Sequence, residues 1–286
     1  MNIDVNTRFV TLIGTPLAQS YAAQMQNAAY AAAGLNYCYF YTEADESHLG
    51  EILNGIRRMP SFCGCAITKP NKVAALKYLD ALDPLCAKTG ACNTVLRTAD
   101  ARLIGYNTDA VGFARSIEDD TDFRIRGSAC FCLGAGGAGH AICAALVNGG
   151  ASQVIIADKC EEHALALVES LRSGFGSDAA RFVPYGDFSQ APECALLINA
   201  TGVGMGTTVG ESPYPSDAIL PKHLCFDACY NPDRTQFLLD AAQKGCRVLN
   251  GLGMSLHQGA AQIEIWTGRP APIAAMRAEL QRIRSQ

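Results

Sequence analysis

Short apolar runs and longer helix-like segments alternate along almost the whole chain. RFVTLIG (8–14) has the composition of a buried strand, and AAQMQNAAYAAAG (22–34) that of a helix that ends at Gly34. Because strand and helix follow one another in this way, the pattern predicts an α/β fold whose first lobe has a mainly parallel sheet.

The first part of the chain continues the alternation after residue 34. Strands and helices are expected in turn at 36–44, 48–59, 63–68 and 72–80. The apolar segments 92–98 and 102–108 flank a short turn, so they are predicted to form an antiparallel pair.

A second series follows the charged stretch 118–127 and predicts a six-stranded sheet with helices between its strands. Those strands are expected at 128–133, 153–158, 181–186, 196–201, 223–230 and 247–251. The segments 254–268 and 272–285 are helical in pattern, and we expect them to pack back on the first lobe. Two lobes follow, with their predicted bounds: a substrate-binding and catalytic domain of residues 1–110 plus 251–286, and a Rossmann dinucleotide-binding domain of residues 111–250.

Length and charge agree with a soluble two-lobed protein. The chain has 286 residues, and its net charge of −4 without a basic stripe argues against nucleic acid as a partner. No apolar run reaches the roughly 18 residues that would span a membrane. Asp4 and Arg8 lie where a signal peptide would be apolar, so a cytoplasmic location is expected.

The thirteen cysteines are interpreted as small buried side chains in a reducing compartment, because most of them lie inside apolar runs. Cys63 or Cys65 as a nucleophile is the alternative, although no histidine lies nearby in the sequence. No pair of cysteines has zinc-site spacing, so no metal is expected.

A glycine-rich turn follows the strand expected at 128–133 and opens a helix. It reads Gly134-Ala135-Gly136-Gly137-Ala138-Gly139, which fits GxGxxG. In dinucleotide-binding folds the first glycine makes a tight turn, the second lets the backbone approach pyrophosphate and the third allows close helix packing. The pyrophosphate then faces the helix N-terminus. A plain tight turn is the alternative.

The next strand ends in Asp158, 19 positions after Gly139. A carboxylate there accepts hydrogen bonds from ribose hydroxyls and repels a 2′-phosphate, and Lys159 is followed by Glu161 and Glu162. NAD is therefore favoured over NADP. The alternative for Asp158 is a cap of the following helix.

Polar side chains recur at the expected strand ends of the first lobe, where open parallel sheets bind their ligands. Oxidation of an alcohol needs a group that takes the hydroxyl proton. Histidines do not fit, since His140 for example lies on the cofactor helix, and Lys72 with Asp109 is the best candidate pair. The alternative for Lys72 is a solvated first-turn lysine, as we expect for Lys69.

Eight ordered blocks resemble the shikimate/quinate dehydrogenases over nearly the full chain. They are GTPLAQS (14–20) with Asn27, ITKPNK (67–72), GACNTV (90–95), GYNTDAVGF (105–113), GAGGAG (134–139), NATGVGM (199–205), DACYNPDRT (227–235) and NGLGMSLHQGA (250–260). The resemblance implies two lobes around a cleft and the reversible oxidation of a ring hydroxyl on a cyclic polyol carboxylate.

Carried over position by position, the resemblance makes Lys72 the acid/base and Asp109 its partner, and gives the substrate carboxylate to Ser20. Ring hydroxyls would be held by Thr68, Asn93 and Gln258. The alternative for these three is a turn cap or a solvated helix position. Further residues beside the substrate or the cofactor would be Tyr230, Thr201, Gly202, Val203, Gly253 and Met254.

Three positions depart from the family's usual residues. Ala22 replaces a second serine that is expected to hydrogen-bond the carboxylate, and Ala66 replaces an asparagine or serine. A hydrogen bond to a charged group contributes about 1.5–3 kcal/mol, so shikimate binding could weaken by about one to two orders of magnitude. Gln26 replaces the usual histidine beside Asn27. A role for Tyr21 in compensating Ala22 stays open.

The first hypothesis is an NAD-dependent dehydrogenase that oxidises the 3-hydroxyl of shikimate to 3-dehydroshikimate, as a monomer or homodimer. Quinate or another polyol acid as substrate is the nearest alternative. A sensing paralogue that binds dinucleotide or substrate without turnover is another, and retention of Lys72 and Asp109 argues against it. Other Rossmann reductases lack the NTD and GLGM blocks of this chain.

Overall fold

The computed structural model describes residues 3–18, 20–176 and 178–285. Its strands are β1 Arg8–Gly14, β2 Tyr37–Glu43, β3 Phe62–Ile67, β4 Ala81–Leu82, β5 Thr94–Arg97, β6 Leu103–Tyr106, β7 Ala129–Leu133, β8 Gln153–Ala157, β9 Ala180–Phe182, β10 Leu196–Asn199, β11 Leu224–Asp227 and β12 Arg247–Asn250. Its α-helices are α1 Ala22–Ala32, α2 Glu46–Arg58, α3 Pro84–Thr89, α4 Thr108–Asp120, α5 Gly137–Asn148, α6 Glu161–Phe175, α7 Gln236–Gln243, α8 Leu252–Thr267 and α9 Ile273–Arg284.

The chain forms two compact units, which confirms the predicted α/β class with two lobes. The first unit consists of Met1–Thr108 and Leu256–Gln286, and the second of Asp109–Ser255. Helix α9 packs against α1, so the C-terminal helices return to the first unit as predicted.

The sheet of the first unit has the strand order β2-β1-β3-β5-β6-β4. Strand β1 pairs in parallel with β2 and β3, and β4 pairs in parallel with β6. Strands β5 and β6 form the antiparallel pair that the sequence predicts, and β5 also pairs antiparallel with β3. The turning point of the sheet therefore lies between β1 and β3.

Helix α2 illustrates why the helices of this unit form where they do. The Asp45 side chain accepts from the backbone N–H of Ser47 at 3.0 Å, which caps the helix, and two arginines lie in its last turn where they favour the helix dipole. Its apolar residues Leu49, Leu53 and Ile56 recur at helical spacing and are buried against the sheet.

The sheet of the second unit is wholly parallel, with the order β12-β11-β10-β7-β8-β9. If these strands are numbered along the chain with β7 as 1, the order from the β9 edge is 3-2-1-4-5-6. This is the strand order of dinucleotide-binding Rossmann sheets. One face of its strands forms a core with helix α7 that includes Phe131, Ile155, Leu197, Cys225 and Phe237.

Three local predictions were wrong or incomplete. The helix expected at 72–80 is only a short 3-10 turn, Ala74–Tyr78, because the backbone N–H of Asp80 turns away to the carbonyl of Leu103 at 2.8 Å and starts β4. Helix α3 was not predicted. Helix α4 was also missed, and the first three residues of the charged stretch 118–127 form its last turn.

All thirteen cysteines are free thiols, and every one except the partly exposed Cys160 is buried. Within the described ranges, no helix combines the length and apolar character needed to cross a membrane. The same part of the chain holds no group of three or more His, Cys, Asp or Glu side chains arranged to bind a metal ion.

Candidate active site

In the second unit, the sheet order reverses between β7 and β10, which places a crevice at the carboxyl ends of these two strands. Gly134 directly follows β7, and Thr201 lies two residues beyond the end of β10. The glycine-rich turn and the segment Thr201–Val203 therefore share this edge of the sheet.

The glycines of the turn have two different local environments. Gly134 has φ +105°, and a Cβ at Gly139 would lie 2.0 Å from the carbonyl oxygen of Gly134, so both positions need glycine for close packing. A Cβ at Gly136 or Gly137 would meet nothing within 4 Å. The exposed backbone at the start of α5 thus forms an open cradle, which is what approach of a pyrophosphate requires.

Asp158 links this turn to the next helix. Its Oδ2 accepts from the backbone N–H of Ala135 at 2.7 Å and its Oδ1 accepts from that of Cys160 at 2.8 Å. The carboxylate therefore supports the turn and the backbone of Cys160, the residue before α6, but does not cap the helix itself. Each oxygen has a further lone pair with which to accept from a ribose hydroxyl.

A cleft of about 280 Å³ opens between the glycine turn and the end of β10. It is lined by Gly136, Asp158, Lys159, His163, Ala200, Thr201 and Val203. The ammonium of Lys159 lies 5.7 Å from the centre of the Tyr185 ring, within the range of a cation–π interaction. Lys159 and His163 were not predicted as cleft residues, although Lys159 directly follows Asp158 and His163 lies in the first turn of α6.

Buried Asn199 shapes the segment Thr201–Val203. Its Oδ1 accepts from the Thr201 hydroxyl at 2.6 Å, and its Nδ2 donates to the Val203 carbonyl at 2.9 Å and to Asp227. Asp227 also accepts from the hydroxyl of Thr235 at 2.6 Å. Burial raises the pKa of the Asp227 carboxyl, and these hydrogen bonds oppose the shift.

The remaining residues predicted for the second unit lie on helices α5 and α8 and in the segment after β11. Gly253 is the second residue of α8, and a Cβ there would lie 2.8 Å from Oδ2 of Asp120 on α4. Met254 and Tyr230 are half-buried. His140 is half-buried on α5, where burial lowers the pKa of its imidazole.

In the first unit, the ends of β1 and β3 are held in close contact. A Cβ at Gly14 would lie 2.3 Å from Cγ2 of Thr68 and 2.7 Å from the carbonyl oxygen of Lys69. The Thr68 N–H donates to the carbonyl of Ile13 at 2.9 Å. Thr68 is half-buried, whereas Lys69 is exposed, as expected.

Lys72 lies in the turn after β3 and is half-buried. Its backbone carbonyl accepts from the N–H of Cys92 at 2.9 Å, which ties the lysine to the residue directly before Asn93. The structure thus anchors the backbone of Lys72 next to a second predicted substrate residue.

Asn93 is buried, and both polar atoms of its amide have hydrogen-bond partners. Its Oδ1 accepts from the Thr108 N–H at 2.7 Å and from the Thr94 hydroxyl at 2.9 Å, and its Nδ2 donates to Oε1 of Gln258 at 3.4 Å. Asn93 therefore caps the start of α4, as its alternative suggested, and also contacts Gln258 from the other end of the chain. Gln258 is half-buried on α8 rather than fully solvated.

Ser20 lies in the turn before α1. Its hydroxyl accepts from the backbone N–H of Ala22 at 3.3 Å, and its carbonyl accepts from the hydroxyl of Tyr41 at 2.7 Å. The Tyr41 hydroxyl is thus held at the Ser20 turn, although Tyr41 was not predicted as a site residue. Gln19, in the same block, lies outside the described residues.

Asp109 follows Thr108 in the first turn of α4 and is half-buried. It is the first residue of the second unit, whereas Lys72 belongs to the first. The pairing of Lys72 with Asp109 stays a prediction.

Comparison with known proteins identifies the family of this chain. Residues 12–95 match the model of the shikimate dehydrogenase substrate binding domain, and residues 251–281 match that of the shikimate 5′-dehydrogenase C-terminal domain. A relative from Moorella thermoacetica, named shikimate dehydrogenase (NADP(+)), is 39% identical over 279 residues, which are 96% of this chain and 93% of its own. The chain belongs to the shikimate dehydrogenase family.

Two solved structures show how far this family likeness extends in three dimensions. Shikimate 5-dehydrogenase from Listeria monocytogenes, in complex with shikimate and NAD, has a TM-score of 0.93 and 34% identity, with 98% of each chain covered. Quinate dehydrogenase from Corynebacterium glutamicum, in complex with NAD, has a TM-score of 0.91 and 28% identity, with 96% of this chain and 99% of that chain covered. An oxidoreductase of the shikimate dehydrogenase family with a nicotinamide dinucleotide cofactor is thereby supported.

Proposed function

We propose that this protein reversibly oxidises shikimate to 3-dehydroshikimate and uses NAD in preference to NADP. The reaction is proposed because the chain belongs to the shikimate dehydrogenase family. The cofactor preference is proposed because the Asp158 carboxylate lines the cleft of the second unit.

The open cradle at Gly136 and Gly137 fits the pyrophosphate of either dinucleotide, so the choice depends on what surrounds the adenosine ribose. Asp158 would accept hydrogen bonds from the ribose hydroxyls of NAD and would repel the 2′-phosphate of NADP. Lys159 and His163, also on the cleft, are the side chains that would favour NADP. Relatives such as that from Moorella thermoacetica are named for NADP(+), so this preference would set the present chain apart from them.

The chemistry assigned to the chain itself is proton transfer and orientation. When bound, the nicotinamide accepts hydride from the carbon that carries the reacting hydroxyl. Lys72 takes the proton of that hydroxyl through Nζ, and returns it to the ketone oxygen in the reductive direction. Asp109 orients the ammonium form of Lys72, while Thr68 and Asn93 hold ring hydroxyls.

Initial rates test the reaction and the acid/base together. Purified protein is offered shikimate or quinate with NAD or NADP, and Lys72→Ala is compared with Lys69→Ala as the matched control three residues away. We expect turnover of shikimate with NAD, a loss of about 10²–10⁴-fold in kcat for Lys72→Ala and little change for Lys69→Ala. Equal losses of kcat in Lys72→Ala and Lys69→Ala would contradict a role for Lys72 in proton transfer.

A charge substitution tests the cofactor assignment. Asp158→Asn removes the charge and keeps one acceptor oxygen for the backbone N–H groups of Ala135 and Cys160. The weakened turn should affect both dinucleotides alike, so kcat/KM for NADP should still rise at least about tenfold relative to that for NAD. Glu169→Gln is the matched control, because it removes one negative charge from an exposed position further along α6. A native enzyme that prefers NADP would contradict the proposal.

Quinate is the second candidate substrate. Ala22 lacks the hydroxyl that the family's usual serine offers to the carboxylate, and the Ser20 hydroxyl already accepts from a backbone N–H. These features favour changed substrate preference, and the Corynebacterium glutamicum relative is a quinate dehydrogenase. Turnover of quinate without shikimate would select this candidate, and NADH binding without turnover of either would select the sensing paralogue.

A further inference from the structure

A buried chain of hydrogen bonds joins helices α1 and α8 to Asn93. Gln26 Nε2 donates to Oε1 of Gln262 at 3.2 Å, and Gln262 Nε2 donates to the hydroxyl oxygen of Thr94 at 3.1 Å. The Thr94 hydroxyl donates in turn to Oδ1 of Asn93 at 2.9 Å. All four side chains are at most 3% exposed, so water has little access to replace any member.

Backbone groups fix the direction of this chain at both ends. At one end, Gln26 Nε2 also donates to the carbonyl of Gly259 at 3.1 Å, and a carbonyl can only accept. At the other end, the Thr108 N–H, which can only donate, points at Oδ1 of Asn93 at 2.7 Å. The flipped amide of Gln26 would set its oxygen against the Gly259 carbonyl. Gln262, between these ends, must therefore donate toward Thr94. The Thr94 hydroxyl reaches Oδ1 of Asn93 directly at 2.9 Å, or through the Thr108 hydroxyl, which lies 3.1 Å from both.

The polarity of the chain reaches the predicted substrate side chains. Because Oδ1 of Asn93 receives the Thr94 hydroxyl and the Thr108 N–H, its Nδ2 is left to point toward Oε1 of Gln258 at 3.4 Å. Gln258 then accepts through its oxygen and keeps its own Nε2 as a donor. Each amide is thus left with an N–H group that can donate to a ligand.

We propose that Gln262, acting through Thr94, is a positioning residue that holds the amides of Asn93 and Gln258 with their N–H donors toward the ring oxygens of the substrate. This inference rests on the proposed function for the identity of the substrate. Gln262 does not itself touch substrate. It selects ligands whose oxygens accept hydrogen bonds at this end of the ring, which hydroxyl and ketone oxygens both do.

Substitutions separate this role from simple packing. Gln262→Met keeps the length of the side chain without its hydrogen bonds, and Thr94→Val removes the hydroxyl at similar volume. We expect each to raise KM for the polyol substrate about five- to tenfold, the range of one net hydrogen bond, while KM for the dinucleotide changes less than about twofold. Thr94→Ser, which keeps the hydroxyl, should recover most of the substrate affinity that Thr94→Val loses.

A double variant tests whether the two residues act in one chain. Gln262→Met combined with Thr94→Val should be no worse than the more severe single variant, because both interrupt the same relay. The matched control is Gln281→Met, the same change at an exposed position on α9, which should leave both KM values unchanged. Additive effects, or equal increases in both KM values, would overturn the inference and leave a structural role for Gln262.

A readout without substrate keeps this test separate from that of the proposed function. If the native protein neither binds nor turns over shikimate or quinate, the proposed function fails, and the side-chain NH₂ signals of Asn93 and Gln258 decide the inference. In ¹⁵N-labelled protein these signals are assigned by their loss in Asn93→Asp and Gln258→Glu. They should shift in Gln262→Met but not in Gln281→Met, and unchanged signals in both variants would overturn the inference.

Discussion

Alanine substitutions at two glycines of the cofactor turn should separate stability from cofactor binding. A Cβ at Gly139 would lie 2.0 Å from the carbonyl oxygen of Gly134, whereas ordinary van der Waals contact begins near 3.4 Å, so helix α5 and the turn would have to move apart by about 1.4 Å. Overpacking of a close-packed core costs about 1–3 kcal/mol, and because the opposing atom is backbone we expect the upper end of that range.

Gly136→Ala is the opposite case. Its φ of −76° is ordinary for alanine and its Cβ would meet nothing within 4 Å, so the free energy of unfolding should change by less than about 1 kcal/mol. The same methyl group would stand on the open surface where the pyrophosphate must approach the helix N-terminus. We therefore expect NADH affinity to fall at least about tenfold.

Urea unfolding and titration with NADH, followed by nucleotide fluorescence, measure the two quantities independently. Gly139→Ala should shift the unfolding midpoint, and Gly136→Ala should shift the dissociation constant alone. Gly137→Ala is a useful third variant, since its Cβ is also unobstructed but sits one residue further along the helix. The reasoning would be refuted by native NADH affinity in Gly136→Ala, or by native stability in Gly139→Ala.

Three further substitutions address the core. Burial lowers the pKa of His223 to about 4. The stability that this shift reflects is present above the unfolded pKa of about 6.5 and is lost as pH falls toward 4. In urea titrations at pH 7.5, 5.5 and 4, the free energy of unfolding of the native protein should therefore fall by up to about 3 kcal/mol more than that of His223→Asn. Trp266→Phe removes the hydrogen bond from Nε1 to the Val95 carbonyl at 3.0 Å and should cost about 1–3 kcal/mol in the free energy of unfolding. Asp227→Asn should cost a similar amount, because the buried carboxylate accepts from an amide, a hydroxyl and a backbone N–H.

Most of the architecture was predictable because strands and helices of parallel α/β proteins carry strong local signals. The run RFVTLIG forms a strand with the predicted bounds, Arg8–Gly14. The helix expected at 72–80 failed because pairing of the short strand β4 with β6, which depends on residues about 20 positions later, outweighs local helix preference. Helix α4 carries buried residues at helical spacing, Ala110, Phe113 and Ile117, and that signal could have been found.

The candidate site was predictable to the extent that its residues lie in local motifs. The glycine turn and Asp158 are recognisable because the fingerprint fixes both the spacing and the flanking elements. Gln26 and Gln262 are 236 residues apart in sequence, and only folding brings their amides to 3.2 Å. Tyr41 was overlooked for the same reason, since its contact with the Ser20 turn crosses from β2 to α1.

The departures from the usual family residues differ in their structural consequences. Gln26 replaces a histidine, and its Nε2 donates both to Gln262 and to the Gly259 carbonyl, whereas its buried Oε1 has no hydrogen-bond partner among the described residues. Ala22 and Ala66 offer no side-chain polar atom at all, and Ala66 is buried opposite Thr94 in the β3–β5 pair. Under the proposed function, the groups that hold ring oxygens are kept while a carboxylate contact is lost. Discrimination between substrates should then depend more on the ring hydroxyls, through Asn93 and Gln258, than on the acid group.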